Sequence, residues 1–593
     1  MNYRSFKFFV FLILMVQAVF VKAQTVTIYR SGTATSPTYS SIKAAVAVAI
    51  DNDSLVLSAD TFREQNIVID KSLSITGSSF LGDRSLIDAG LPTDSSAIIF
   101  INPNFLFTTN TLLLQGLNIT NGHANNGFDA GGGAIYAGKG TSLIVGDFCY
   151  FFNNYAPDSS ATFIGSRNGG AIYSEGDVYL KGTAIVEENF AVNGGGIFTT
   201  KKLEVSSSAI VRKNIASEKG GGIYSLGESS FLDYTEVNGN KAKMGAGCYS
   251  EDGIVTLMNN AKIMANHSVL MGGAFYLKNV YFNMADKAEI FFNFTDTNYA
   301  AAIYSTGNND LTISGGQIID NKSTNFSVTG TGMALYNDSL TGTSSIIRIN
   351  NARIFNPKSD NSRHNEFYNA QAVSAFLSDS TWWGESDTAG LIYNAPTATI
   401  AMRSWIVCEW TMNGGLPIGS AASFPIEAQF KLYTGAPIPS GMFPMLEGFF
   451  MADSGKFSPT WVAKINSANI VSNTYNVPIT TGADKIIAIV DADSFQQSVY
   501  VIGLGITPSK NIANGITIFP NPATNYLNLR STLHNNQDLQ LAITDLLGKT
   551  ALSQELHFTQ QDLSLPIQLL PGVYMLSVLQ NQKQICQQKI VVE

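Results

Sequence analysis

The chain has 593 residues, with 36 basic against 45 acidic side chains, only 14% charged residues and 52 glycines. Removing Arg4, Lys7 and Lys22 with a leader leaves 33 basic against 45 acidic side chains and takes the net charge from −9 to −12. An acidic chain without a basic block has no electrostatic footprint for nucleic acid, and a chain this long is expected to hold several domains.

Arg4 and Lys7 precede an apolar run from Phe8 to Val21, followed by Val21-Lys22-Ala23. Residues 1–23 therefore read as a secretory signal peptide, cut between Ala23 and Gln24. The run falls short of the ~20 residues a spanning helix needs. No later run is longer, so the mature chain is expected to have no transmembrane span. Residues 40–50, Ser-Ser-Ile-Lys-Ala-Ala-Val-Ala-Val-Ala-Ile, give the clearest amphipathic helix pattern. Ahead of the first strands, such a helix can cover an open hydrophobic end.

Between 151 and 321 an apolar-x-x-Asn unit recurs, with its asparagines at 154, 189, 214, 240, 266, 293 and 321. About ten residues after most copies stands a cluster of tiny residues ending in an aromatic, such as Gly-Gly-Gly-Ile-Phe at 194–198 and Gly-Gly-Gly-Ile-Tyr at 220–224. A period near 26 indicates one structural unit stacked on copies of itself. Within a unit, Val178 and Leu180 alternate with Asp177, Tyr179 and Lys181, the period of a strand with one buried face. Short strands separated by Asn and Gly turns fit one rung of a right-handed parallel β-helix. Asn189, Asn214, Asn240, Asn266 and Asn293 are expected to form a ladder of amides along its axis. The same stacking sets Glu187 and Glu188 beside Arg212 and Lys213 of the next rung, which suits exposed ion pairs. Cys149 and Cys248 fall about four rungs apart, roughly 15–20 Å along the stack, too far for a disulfide.

The opening strands, with Leu114-Gln115-Gly116-Leu117-Asn118-Ile119, resemble those of pectin lyase-like secreted proteins. The paired Gly-Gly-Ala-Ile and apolar-x-x-Asn motifs resemble the repeat of the polymorphic outer-membrane proteins, an autotransporter adhesin family. That likeness covers about 110–340, and this chain departs from the family in its C-terminal segment, which has no membrane-barrel pattern. Thr381-Trp382-Trp383-Gly384 resembles a signature near the end of secreted β-helices, and the two tryptophans are expected to lid the last coil.

After the stack, residues 396–508 show alternating runs at roughly ten-residue spacing, as in an Ig-like β-sandwich. The final segment, 515–593, carries Pro520-Asn521-Pro522, Gly548-Lys549 and Pro571-Gly572-Val573-Tyr574. In this order these blocks resemble the C-terminal sorting domain of type IX secretion substrates. The resemblance implies a small β-sandwich that the outer-membrane type IX machinery takes from the periplasm to the cell surface or the medium. Pro520 and Pro522 would fix a turn entry, while Gly548 and Gly572 would serve tight turns. The chain thus reads as all-β: signal peptide 1–23, right-handed parallel β-helix with its cap 24–395, Ig-like sandwich 396–508 and sorting domain 515–593.

Catalytic motifs are not found: the nucleophile elbow, the phosphate loop and paired-His zinc spacing do not occur. No cofactor or metal is expected. Two functions remain. One is a non-enzymatic adhesin or glycan-binding protein, using Asn, Thr, Ser and Tyr along the long flank of the helix. The other is a polysaccharide lyase or glycoside hydrolase acting in a groove on that flank. For an enzyme the default catalytic candidates are Asp177, Glu187, Glu188 and Lys213, since such chemistry needs paired carboxylates or a carboxylate beside a base.

Overall fold

The computed structural model describes residues 24–593 apart from 79–83, 91–96, 102–108, 125–130, 157–166, 298, 324–330, 339–343, 357–364, 371–373, 389, 395–398, 413–417, 420–422, 439–445, 479–481, 503–515, 532–538, 546–547, 558–561 and 581–582. The expected signal peptide and its cut site at Ala23 lie outside the described residues. Two units are compact in themselves, one running to residue 501 and the other covering the C-terminal segment.

The first unit begins as a parallel β-solenoid. Among the described residues its walls are sheets of 15, 11 and 12 strands, here sheets 1, 2 and 3, with a row of seven short strands at one corner. Each rung adds one strand to each wall, and register is kept from rung to rung. Val178 pairs with Leu203, Val186 with Val211 and Ile172 with Ile197. Alternation then sends one residue in two inward, so Leu180, Val186, Ile197, Leu203 and Val211 join a single continuous core. That core is the main source of stability, since burying each such side chain contributes about 1.5–3 kcal/mol.

The N-terminal end is closed as the amphipathic pattern indicates. A helix, Ile42–Val48, is capped by Ser41, whose Oγ accepts from the Ala44 N–H, and Glu64 accepts from the N–H groups of Ile42 and Lys43. Ile42, Ala45 and Val46 lie in the solenoid core. Two antiparallel strands, Val26–Arg30 and Thr33–Ala34, finish the edge of sheet 1.

Tiny residues recur because successive rungs touch at one corner. A Cβ on Gly195 would stand 2.4 Å from the Gly221 oxygen and 2.5 Å from the Ile215 carbonyl. Gly194 also takes a φ of +61°, where side chains are strained. The aromatic that follows each cluster packs against its counterpart in the next rung, stacked in most pairs and edge-on around Tyr224. The file runs from Phe100 through Tyr136, Tyr173, Phe198, Tyr224 and Tyr249, then Tyr276 and Tyr304, to Tyr336, Tyr368 and Tyr393.

The asparagines form a second file, wholly buried. Each backbone N–H and each Nδ2 donates to the Oδ1 of the asparagine one rung on. For Asn214 to Asn240 these distances are 2.9 and 3.1 Å, and for Asn240 to Asn266 both are 3.0 Å. The second Nδ2 hydrogen goes to a strand carbonyl, from Asn214 to Val186 and from Asn240 to Val211. Every donor and lone pair of these amides is therefore used. The file starts where Asn154 accepts from the Gly122 N–H, passes Asn189, Asn293 and Asn321, and reaches Asn356. It ends on a carboxylate, with Glu366 accepting from both the N–H and the Nδ2 of Asn356.

Parallel pairing in sheet 1 runs past the expected boundary at 395, to the strand Thr399–Met402. An antiparallel sandwich follows, with strands between Ile406 and Ile502 in sheets of four and five. It is bolted to the solenoid. The turn Asp491–Ala492 places the Asp491 carboxylate against Arg353 (Nε to Oδ2, 3.0 Å) and the Trp382 Nε1 (2.7 Å). Arg353 in turn donates to Gln317 (2.8 Å) and Gln317 to Glu289 (2.7 Å), extending a polar file back along sheet 2. The adjacent tryptophans divide between the two cores. Trp383 lids the solenoid as expected, whereas Trp382 belongs to the sandwich core and meets Phe430 edge-on at 5.1 Å. Both are buried, which leaves neither ring a face for a ligand.

The second unit is a small pair of antiparallel sheets, of three and four strands, around Ile518, Leu529, Leu541, Ile543, Leu576, Val578 and Ile590.

Candidate functional site

The structure brings Glu187, Glu188 and Lys213 together on the corner after sheet 2 and leaves Asp177 on sheet 1, opposite Ser142 in register. Glu188 and Lys213 each occupy a bend of left-handed backbone just before a ladder asparagine, with φ of +55° and +53°. Those bends turn Lys213 back over the preceding rung. Its Nζ lies 2.7 Å from Glu187 and 3.5 Å from Glu188. Arg212 reaches Glu187 at 2.8 Å and the Tyr150 hydroxyl donates to it at 2.7 Å.

Exposed ion pairs are what the rung spacing suggests here, yet the Glu187 side chain is only 3% exposed. Burial pushes its carboxyl up, but the hydrogen bonds from Arg212, Lys213 and Tyr150 outweigh it and hold the group down at about 2. Burial, and then the bond to Glu187, pushes the Tyr150 phenol up to about 12. The bond to Glu187 also raises Lys213 above the ordinary lysine range. These shifts run against a general-acid role for Glu187 and a base role for Lys213. A general acid needs a carboxyl raised toward neutrality and a lysine base needs a lowered ammonium. Glu204 is similarly engaged, 3.4 Å from Lys181 and 3.5 Å from Lys202. Among the described residues no group of three or more His, Cys, Asp or Glu side chains could hold a metal ion. All four cysteines are free, and Cys149 and Cys248 are buried.

The expected glycan-binding flank is changed too. The ladder asparagines cannot meet a ligand, because they are buried and saturated, and rings of the aromatic file such as Tyr173, Tyr276, Tyr304, Tyr336 and Tyr368 are stacked between two neighbours. Unspent polar groups stand instead on the outward face of sheet 1. One file there reads Tyr179, Glu204, Ser230, Thr256, Asn283, Thr312, Arg348 and Leu377 in strict register. Among the described residues, the side chains of Thr256, Asn283 and Thr312 have no internal hydrogen-bond partner. Beside them Tyr281 is 66% exposed and Ile254 47% exposed. Uncharged donors and acceptors next to an open aromatic ring are the makings of a saccharide-binding surface. At its far end this file opens into a cleft of about 390 Å³ between Arg348 and Arg403. Inward-facing Val205, Leu257, Met284 and Ile313 hold the strands beneath it. The signal for this surface is period two around apolar residues, which marks every outward position and so singles out none.

In the sorting unit, Asn521 fastens the Pro520–Pro522 turn to the last strand. Its Nδ2 donates to the Lys589 carbonyl and its Oδ1 accepts from the Val591 N–H, both at 2.8 Å. Gly548 takes a φ of +81° in the turn where Asp545 accepts from the Lys549 N–H at 2.9 Å. Gly572 does not make a tight turn as expected; it opens the strand Gly572–Gln580 without a left-handed φ. Tyr574 donates to the Leu570 carbonyl at 2.9 Å.

Residues 517–593 match the secretion system C-terminal sorting domain, and residues 148–175 match the Chlamydia polymorphic membrane protein repeat. The chain carries a type IX sorting domain. It is secreted or displayed at the cell surface by that route, and the machinery of that system is its partner in export. No helix among the described residues is long and apolar enough to cross a membrane. No curated protein matches the chain. Solved structures with partial likeness include the Yersinia pseudotuberculosis adhesin InvE, at 8% identity over 31% of this chain and 58% of that one, with a TM-score of 0.14. A C-terminal fragment of intimin, solved with its translocated receptor's intimin-binding domain, aligns at 14% identity over 31% and 62%, TM-score 0.15. Invasin, a bacterial integrin-binding protein, aligns at 12% over 32% and 39%, TM-score 0.15. This chain therefore spans less than two thirds of each of them.

Proposed function

We propose that the exported protein is a non-enzymatic adhesin that binds glycan along the outward face of sheet 1, with Thr256, Asn283 and Thr312 supplying hydrogen bonds and Tyr281 a stacking ring. The observation that carries this reading is the contrast in hydrogen-bond capacity. The candidate catalytic carboxylate Glu187 already accepts from three donors, while among the described residues Thr256, Asn283 and Thr312 of the sheet 1 file keep their capacity free. Rungs at ~4.8 Å spacing repeat equivalent groups along one line, which suits an extended polymer, and many weak contacts along it add up as avidity. The Ig-like sandwich serves as a closed end to the stack and a rigid spacer.

Retention of the full chain on immobilised polysaccharides tests this. The combined Thr256→Ala, Asn283→Ala and Tyr281→Ala variant is expected to lose retention with its thermal unfolding unchanged. Retention that survives this variant but is lost in Glu187→Gln would move the site to the corner and revive the enzyme reading. Export has a separate test: deletion of 515–593 is expected to trap the protein in the periplasm, and its continued appearance in the medium would refute the sorting role.

A further inference from the structure

The cleft that ends the sheet 1 file is lined by charged groups, unlike the file positions Thr256, Asn283 and Thr312 that precede it. Its floor is Leu377, on one of the last rungs, with Asn350 and Asp379 side by side in register along one edge. Asn351 and Ser380, both in left-handed backbone at φ +53° and +49°, close the corner. Arg348 enters from the rung before Leu377 and Arg403 from the segment after it. The Arg403 N–H, bonded to the Ser378 carbonyl at 3.0 Å, continues the register of the strand ending at Met402.

The two guanidinium groups are not equally occupied. Arg348 gives Nη1 to Asp310 at 2.5 Å, leaving its other nitrogens. Arg403 is exposed, and among the described residues its side chain has neither a hydrogen-bond nor an ion-pair partner. Among the described residues the Asp379 carboxylate accepts only from the Ser380 hydroxyl, at 3.2 Å. The cleft therefore offers a planar cation for an oxyanion, a carboxylate oxygen for hydroxyl donors and an apolar floor for carbon-bound hydrogens. At about 390 Å³ it lies in the range of small-ligand sites. A guanidinium recognises planar or tetrahedral oxyanions through paired N–H groups, which no hydroxyl of a neutral sugar can match.

We infer that this cleft is a subsite for the acidic group of a polysaccharide, a carboxylate or a sulfate, held by Arg403 and Arg348 while Asp379 takes the hydroxyls of the same sugar. The inference rests on the flank reading, since the cleft terminates the same file of residues. It makes the ligand an acidic glycan whose uncharged portion lies over Asn283 and Thr312.

Calorimetric titration of the full chain with three oligosaccharides of equal length tests both. The probes are a uronate oligomer, a sulfated galactan and a neutral galactan. At least one acidic probe is expected to bind about tenfold more tightly than the neutral one, the margin of one charge-assisted bond, and to weaken as salt is raised. Arg403→Gln, at an exposed position, should remove that margin and leave neutral binding and thermal unfolding unchanged; the stronger acidic probe identifies carboxylate or sulfate. Equal affinity for acidic and neutral probes, or an unaltered margin in Arg403→Gln, overturns the acidic subsite and leaves the flank reading standing. Failure of all three probes to bind overturns the flank reading and the subsite with it.

Discussion

Two regions of the solenoid carry polar side chains at equivalent spacing and use them in opposite ways. At the corner after sheet 2, Glu187 is buried beneath Arg212, Lys213 and Tyr150, and the asparagine file beside it has every amide bond made. Along sheet 1, Thr256, Asn283 and Thr312 face outward with no side-chain hydrogen-bond partner among the described residues. The corner looks more like an active site in sequence, because it gathers acids and bases; the flank looks like filler. The difference shows that in a stacked fold a charge cluster is often the means by which one rung grips the next. Function is better sought where capacity is left over.

That contrast can be broken or sharpened by substitution. The largest effect is expected from Asp491→Ala, which removes the carboxylate shared by Arg353 and Trp382 at the sandwich junction. Breaking a buried charge pair costs about 3–5 kcal/mol, read as a lower denaturation midpoint of the solenoid–sandwich unit. Asn240→Ala should follow, at about 2–4 kcal/mol, because the Asn214 N–H and Nδ2 both lose their acceptor inside the protein. A loss under about 1 kcal/mol would show that the ladder is ornament.

Glu187→Gln is expected to cost about 2 kcal/mol, less than a fully buried pair, since Arg212 and Lys213 can turn to water. It also carries a pH signature. The Glu187 carboxyl is depressed to about 2, below its unfolded value near ~4.3. Its stabilisation is thus complete above the unfolded value and is lost as pH falls through the window from about 5 to 2. Acid titration of stability should be flatter over that window in the variant than in the parent; identical slopes would mean that Glu187 is not held as an anion. The smallest effect belongs to the flank. Thr256→Ala and Asn283→Ala should each alter stability by less than about 0.5 kcal/mol while weakening glycan retention.

Much of the fold was legible because stacking forces like onto like. The 26-residue step located the ladder, and the tiny-residue clusters located the corner where rungs touch. Asn356 and Glu366 were not legible. The step from Asn321 to Asn356 is 35 residues, lengthened by insertions that break the period, and a carboxylate ending an amide file has no motif. The burial of Glu187 was equally hidden, since its depth comes from Tyr150, Arg212 and Lys213 folding over it from neighbouring rungs. The split of Trp382 from Trp383 depends on a turn more than a hundred residues later in the chain. The alternation of Asp177 and Tyr179 with Val178 and Leu180 marks outward positions on one strand of sheet 1, but nothing local distinguishes a free threonine from a bonded one.

The decisive measurement is a turnover screen of the full chain and its Glu187→Gln variant against acidic and neutral polysaccharides, read by new reducing ends and by absorbance of unsaturated products. Binding without products is expected from either protein. Products released by the parent and abolished by Glu187→Gln would contradict it, and would make the buried corner an active site after all.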